Sequence, residues 1–141
     1  MKSPAEIAAF TSDVGVAKSK LGIPRMIALG FLAGFFIALA GAASNTASAL
    51  ISNASVAKII SGCVFPAGLT MVLCAGSELF TGNSLMAVAL LDKRIKLRHM
   101  LKNWLFVYVG NYVGSVLAAA LLSLSGQFGM FGGKVALTTV T

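Results

Sequence analysis

Three stretches of this chain are almost free of charge, and short polar or basic segments separate them. In the first, residues 26–43, every residue is uncharged, and Gly30, Gly34, Ala38 and Ala42 recur every four positions along one stripe. That pattern predicts a membrane crossing with one face bare enough for close helix packing. Residues 44–55 are Ser, Asn, Thr and Ala with little else, which reads as a loop. The second stretch, 59–91, contains one Glu and no other charge. As an unbroken helix it would extend about 50 Å, against a hydrocarbon core of about 30 Å. A break is therefore expected at 76–83, where Gly76, Ser77, Glu78, Thr81, Gly82 and Asn83 gather. The third stretch, 104–124, predicts another crossing. Its Gly110 and Gly114 repeat the close-packing spacing, and its Trp104 and Tyr108 suit the headgroup level.

Ahead of the first crossing, Ser3-Pro4-Ala5-Glu6 has the form of a helix start, with Ser3 as N-cap, Pro4 at the first helical position and Glu6 closing a capping box. Ile7, Phe10, Val14 and Leu21 then keep close to one face, while Asp13, Lys18 and Lys20 are polar. This predicts an N-terminal amphipathic helix at the membrane surface or under the bundle.

Composition supports a membrane class: 57% of residues are hydrophobic and 11% charged, against roughly 45–50% and 25% in soluble domains. The chain reads as one membrane domain over 1–141, and the first apolar run is too long and too far from the start for a cleaved signal peptide. The net charge of +7 is grouped by membrane side instead of over one soluble face, so no nucleic-acid partner is expected. Lys2, Lys18, Lys20 and Arg25 precede the first crossing, and Lys93, Arg94, Lys96, Arg98 and Lys102 precede the third. Only Lys58 and Lys134 lie on the other side. Nine against two places the N-terminus and the 93–102 loop in the cytoplasm. Cys63 and Cys74 would stand about 16 Å apart along one helix, too far for a disulfide or a shared metal. With no ligand cluster, nucleophile–base pair or phosphate loop, neither cofactor, metal nor enzyme activity is expected.

The chemistry concentrates at the break. Non-helical backbone at membrane depth is tolerated where it is buried in protein or lines a wet cavity. A half-helix opening at Thr81, Gly82 and Asn83 would present N–H groups and the Thr81 hydroxyl to an anion. Glu78 is expected to hold the loop by accepting backbone hydrogen bonds, or to be partly protonated. A re-entrant kink with only a packing role is the alternative.

The run Cys74-Ala75-Gly76-Ser77-Glu78-Leu79-Phe80-Thr81-Gly82-Asn83 resembles the broken-helix signature of the formate/nitrite transporter family, which includes hydrosulfide channels. Lys102-Asn103-Trp104 with Gly110-Asn111-Tyr112-Val113-Gly114-Ser115 resembles the start of that family's third helix, and Ser3-Pro4-Ala5-Glu6 its N-terminal segment. The resemblance implies an all-α membrane protein with an aquaporin-like helical channel fold, here three transmembrane helices with the second interrupted. It also implies a homopentamer in the full-length form, lying in the cytoplasmic (inner) membrane and passing formate, nitrite or hydrosulfide, with or without a proton. By position Thr81 resembles the hydroxyl that touches the ion, Leu69 and Leu79 the constriction on its cytoplasmic side, and Phe65 part of the outer constriction. Phe80 and Asn83 complete the candidate pathway, supported by Glu78, Gly76 and Gly82. Apolar rings exclude large hydrated ions, and the polar site between them replaces lost water.

The family's second half, with its mid-membrane histidine, is not present in these residues. His99 lies among Lys and Arg in the 93–102 segment and is expected to be an ordinary solvated residue. A piece of a longer chain is therefore expected. A non-conducting membrane subunit with a scaffold or assembly role is the alternative function.

Overall fold

The computed structural model describes residues 3–140, so that Lys2, counted above, lies outside them. Helix α1 (Pro4–Ser19) begins with the expected capping box: Glu6 N–H donates to Ser3 Oγ at 3.3 Å, and Ser3 N–H to Glu6 Oε2 at 2.6 Å. The Ser3 backbone N–H foremost, and then the Ser3 hydroxyl, hold the Glu6 carboxyl below its ordinary value. Ser12 and Gly15 are the buried residues of α1, whereas Ile7 and Phe10 stay more than half exposed.

Helix α2 (Ile23–Ser48) and helix α7 (Leu97–Leu124) are two of the three helices among the described residues that are long and apolar enough to cross a membrane. They pack backbone to backbone. A Cβ on Gly110 would stand 2.7 Å from the Ile27 carbonyl oxygen, and one on Gly34 or Gly114 would fall on the carbonyl oxygen of Asn111 or Phe31. The four-residue glycine spacing read from the sequence is thus a helix seam.

The third spanning helix, Ala54–Cys74, has two parts, α3 (Ala54–Val64) and α4 (Pro66–Cys74). They join at Phe65, before a proline that cannot donate to the preceding turn. Asn53 caps α3, its side chain accepting from Val56 N–H at 3.1 Å. Gly68 lets α4 approach α2, where an added Cβ would stand 2.7 Å from Ala40 Cβ. Beyond the break come α5 (Phe80–Asn83) and α6 (Met86–Leu91), and Gly15 of α1 lies against Ala89 of α6. After α7, a 3₁₀ stretch (Gln127–Gly133), interrupted at Met130, Phe131 and Gly132, leads to α8 (Lys134–Val140).

Two expectations about boundaries need correction. Residues 44–55 are mostly helix, since α2 continues to Ser48 and α3 begins at Ala54. The hydroxyls that suggested a loop are satisfied inside the helix: Thr46 Oγ1 donates to the Ala42 carbonyl at 2.8 Å and Ser48 Oγ to that of Ser44 at 3.0 Å. Ser44 also meets Ser61 of α3. Helix α7 starts at Leu97, not at 104, so Arg98, His99 and Lys102 stand on its first turns. Long basic side chains are good helix formers and do not end a helix.

The ion pair of Asp13 with Arg94, 2.7 Å, ties α1 to the basic segment after α6. Lys58 and Lys134 lie at the other end, near Ala49 and Ile51.

Candidate functional site

The second crossing stops for a local reason. Gly76 adopts φ +59°, Ser77 N–H bonds the Val72 carbonyl at 3.0 Å, and Gly76 N–H that of Leu73 at 3.2 Å. This pair of bonds around a left-handed glycine is a Schellman stop, which satisfies the last carbonyls of α4 and turns the chain away. The chain is then extended at Leu79 (φ −102°, ψ 129°) before helix resumes at Phe80. The unwound residues are 75–79, so the expected break over 76–83 is shorter: Phe80 to Asn83 already form a helical turn.

Neighbouring helices hold the unwound backbone. Glu78 N–H donates to the Leu29 carbonyl of α2 at 3.1 Å. From α7, the Asn111 amide donates to the carbonyls of Gly30 (2.8 Å) and Glu78 (2.9 Å) and accepts from Phe80 N–H (2.8 Å). The first amide of the half-helix is therefore engaged by Asn111 and is not free for an ion.

Glu78 does not hold the loop through backbone donors to its carboxylate. Its Oε2 accepts from Lys18 Nζ at 2.8 Å and from Asn83 Nδ2 at 2.7 Å. Lys18 also donates to Asn83 Oδ1 (2.7 Å), Asn83 Nδ2 to Asn103 Oδ1 (2.7 Å), and Asn103 Nδ2 to the Lys18 carbonyl (3.3 Å). Glu78, Asn83 and Asn103 are all buried, Asn83 completely. Burying a carboxylate requires pairing and hydrogen bonding of this kind. The pair is formally neutral, so Glu78 adds no net negative charge beneath the break.

Trp104 and Tyr108 of α7 pack on the half-helix. Trp104 Nε1 donates to the Asn83 carbonyl at 2.9 Å, and the Phe80 ring meets Trp104 and Tyr108 edge-on at centroid distances of 5.8 and 5.6 Å. The partly buried indole N–H needs an acceptor and finds one in the half-helix.

Two clefts flank the break. One, of about 510 Å³, lies between α1 and the second crossing; Phe10, Val14, Lys18, Leu69 and Leu85 line it. The other, of about 360 Å³, is bounded by Ile37, Phe80, Tyr108, Tyr112 and Ser115. Leu79 and Thr81 border both.

The structure thus gathers Leu69, Leu79, Thr81, Gly82 and Asn83 around the first cleft and places Phe80 on the second. Thr81 is exposed, but the Asn83 side chain is committed to the Lys18–Glu78 cluster. Phe65 is 46% exposed at the α3–α4 junction and borders neither cleft. Gly76 supplies the left-handed stop and Glu78 the buried anchor. Lys18 and the amides of Asn103 and Asn111 belong to the site, and sequence reasoning missed them. A signal for the amides was present: an amide within an apolar crossing must find partners, and such residues cluster at functional positions. Cys63 and Cys74 are exposed free thiols, and no group of three or more metal-ligating His, Cys, Asp or Glu side chains occurs among the described residues.

A family model described as formate/nitrite transporter matches residues 5–141. The chain belongs to the formate/nitrite transporter family. It is 38% identical over 129 residues to a probable formate transporter of Methanothermobacter thermautotrophicus, covering 88% of this chain and 47% of that protein. It is 36% identical over 119 residues to the formate channel BtFdhC of Bacillus thuringiensis, covering 82% and 46%. With the formate channel FocA of Escherichia coli K12 the identity is 35% over 127 residues, covering 89% and 45%. The chain spans about half the length of these relatives. Family membership and three apolar spanning helices together make it a membrane protein of a transporter family, not of an enzyme family.

Proposed function

We propose that this chain supplies one side of a transmembrane pathway for small monovalent anions, with formate as the first candidate and nitrite and hydrosulfide as the others. One observation carries the reading: at an interrupted crossing, Leu79 and Thr81 line both clefts beside the break and so form the divide between them. An anion passing the divide loses water beside Leu79 and gains the Thr81 hydroxyl in exchange. Lys18 cancels the charge of Glu78, so the anion meets no uncompensated carboxylate there. The names of the relatives support formate over the other two anions.

In this reading residues 1–141 are a single membrane domain corresponding to the first of two inverted halves, and the complete assembly is a homopentamer. The count of basic residues supports a cytoplasmic N-terminus in the inner membrane, and the Asp13–Arg94 pair is consistent with α1 and the basic segment sharing one side. A proton accompanying the anion is part of the proposal to be measured.

The test is anion flux into proteoliposomes holding the protein expressed in full from its gene. Thr81→Ser keeps the hydroxyl and is expected to keep formate flux; Thr81→Val, of the same shape without it, is expected to lose about tenfold or more, on the scale of one lost charge-assisted hydrogen bond. Equal flux through both would remove Thr81 from the pathway. Formate, nitrite and hydrosulfide measured in parallel, with internal pH recorded, identify the ion and any proton. No flux of any of them, with stoichiometric co-purification in a larger complex, would favour a scaffold role.

A further inference from the structure

We propose that Asn111 is the positioning residue that sets the place of the Leu79–Thr81 divide, and through it the size of anion that passes. The effect on anion size rests on the transport reading above; the placement of the backbone does not.

The segment from Glu78 to Phe80 has left α4 and has not yet entered the next helical ladder, so its polar backbone groups must be satisfied from outside. Glu78 N–H goes to Leu29 of α2. The Glu78 carbonyl and the Phe80 N–H both go to the same side chain, Asn111. Leu79 lies between those two bonds and Thr81 one residue beyond them. The third partner of Asn111, the Gly30 carbonyl at 2.8 Å, fixes the amide plane against α2. One side chain therefore ties the first crossing, the break and the third crossing together at one point.

Asparagine is the residue type this point needs. Two carbonyls must receive and one N–H must give, and a primary amide offers two donors and an acceptor. An ionised aspartate has no donor and would face both carbonyls. Glutamine is one methylene too long for a span set by direct helix contact. That contact comes from the glycine seam: Gly110 precedes Asn111, and the backbone carbonyl of Asn111 itself lies where a Cβ of residue 34 would be. The seam brings α7 close enough to α2 for so short a side chain to reach both α2 and the break.

The experiment compares wild type, Asn111→Ala and Asn111→Asp, each expressed in full from the gene and reconstituted in lipid. Hydrogen exchange of a peptide over 77–83 reports the backbone, and the ratio of formate to lactate flux reports the divide. In Asn111→Ala the 77–83 peptide is expected to exchange on the order of tenfold faster, as for loss of one or two hydrogen bonds. Peptides from the middle of α2 and α7 are expected to match wild type, and the formate-to-lactate ratio to fall several-fold. Asn111→Asp is expected to act in the same direction and more strongly. If Asn111→Ala fails to fold, Asn111→Ser, which keeps one hydroxyl, carries the same comparison. Unchanged exchange at 77–83 would overturn the proposal whatever the flux. Faster exchange with an unchanged flux ratio would overturn the assignment of anion size to Asn111. A response in exchange from a protein that conducts none of the anions would refute the transport reading and leave the placement standing.

Discussion

Replacing a single glycine by alanine should have opposite effects at two positions of the same helix, Gly34 and Gly41. At Gly34 the new methyl would overlap the Asn111 carbonyl oxygen, and ordinary contact begins only at about 3.4 Å. No flexible side chain can give way, because both sides of the contact are backbone. Helices α2 and α7 would have to part by on the order of 1 Å, and a gap of that size forfeits a quarter to a half of the dispersion energy along the seam. Overpacking of this kind costs about 1–3 kcal/mol, and a backbone contact belongs at the upper end. Against it stands the helix preference for Ala over Gly, about 1 kcal/mol, leaving a net loss of about 2 kcal/mol. At Gly41 an added Cβ meets nothing within 4 Å, so the preference acts alone and stabilises by about 0.5–1 kcal/mol. For a chain of this size roughly 3 °C corresponds to 1 kcal/mol. The thermal midpoint in detergent, followed by size-exclusion chromatography after heating, should therefore fall by about 6 °C for Gly34→Ala and rise by about 2 °C for Gly41→Ala. Equal shifts of the same sign would mean that α2 and α7 are not in backbone contact.

Lys18→Met should destabilise by about 3 kcal/mol, since it leaves the buried Glu78 carboxylate without its cation. The double variant Lys18→Met/Glu78→Gln should recover much of that loss in a double-mutant thermal-unfolding cycle, and strictly additive effects would contradict the pairing. Lys93 closes α6 with φ +57° in a turn whose Arg94 N–H bonds the Ala89 carbonyl at 2.9 Å, a place that suits glycine. Lys93→Gly should accordingly raise the unfolding midpoint, by about 1 kcal/mol in stability. Folding lowers the Glu6 pKa, so its contribution to α1 is full above the ordinary value of 4.5 and fades as the pH falls through the lowered folded value. Hydrogen exchange in the first turn of α1 should speed up on acidification through that range, and Glu6→Gln should abolish the pH dependence.

The three crossings were legible because an uncharged run of spanning length has few places to go except lipid. The break was legible because residues 59–91 are too long for one crossing and because Gly76 lies where a left-handed stop is needed. The errors share one cause. Hydroxyls at 44–55 look like a loop when judged by composition, yet those of Thr46 and Ser48 bond their own helix four residues back. Lys18, Glu78, Asn83 and Asn103 are separated by up to 85 positions in the chain, and no local pattern shows that they meet. The hydrogen bond of Trp104 was hidden for the same reason, since its partner, the Asn83 carbonyl, is in reach only once the half-helix is in place.

Where the second crossing is interrupted, covalent and mechanical continuity part company. Besides its bonds to the end of α4, the chain between Cys74 and Phe80 is fastened sideways, to Leu29 of α2 and to Asn111 of α7. A pull on α3 and α4 would accordingly be shared with α2 and α7 before it reached α6.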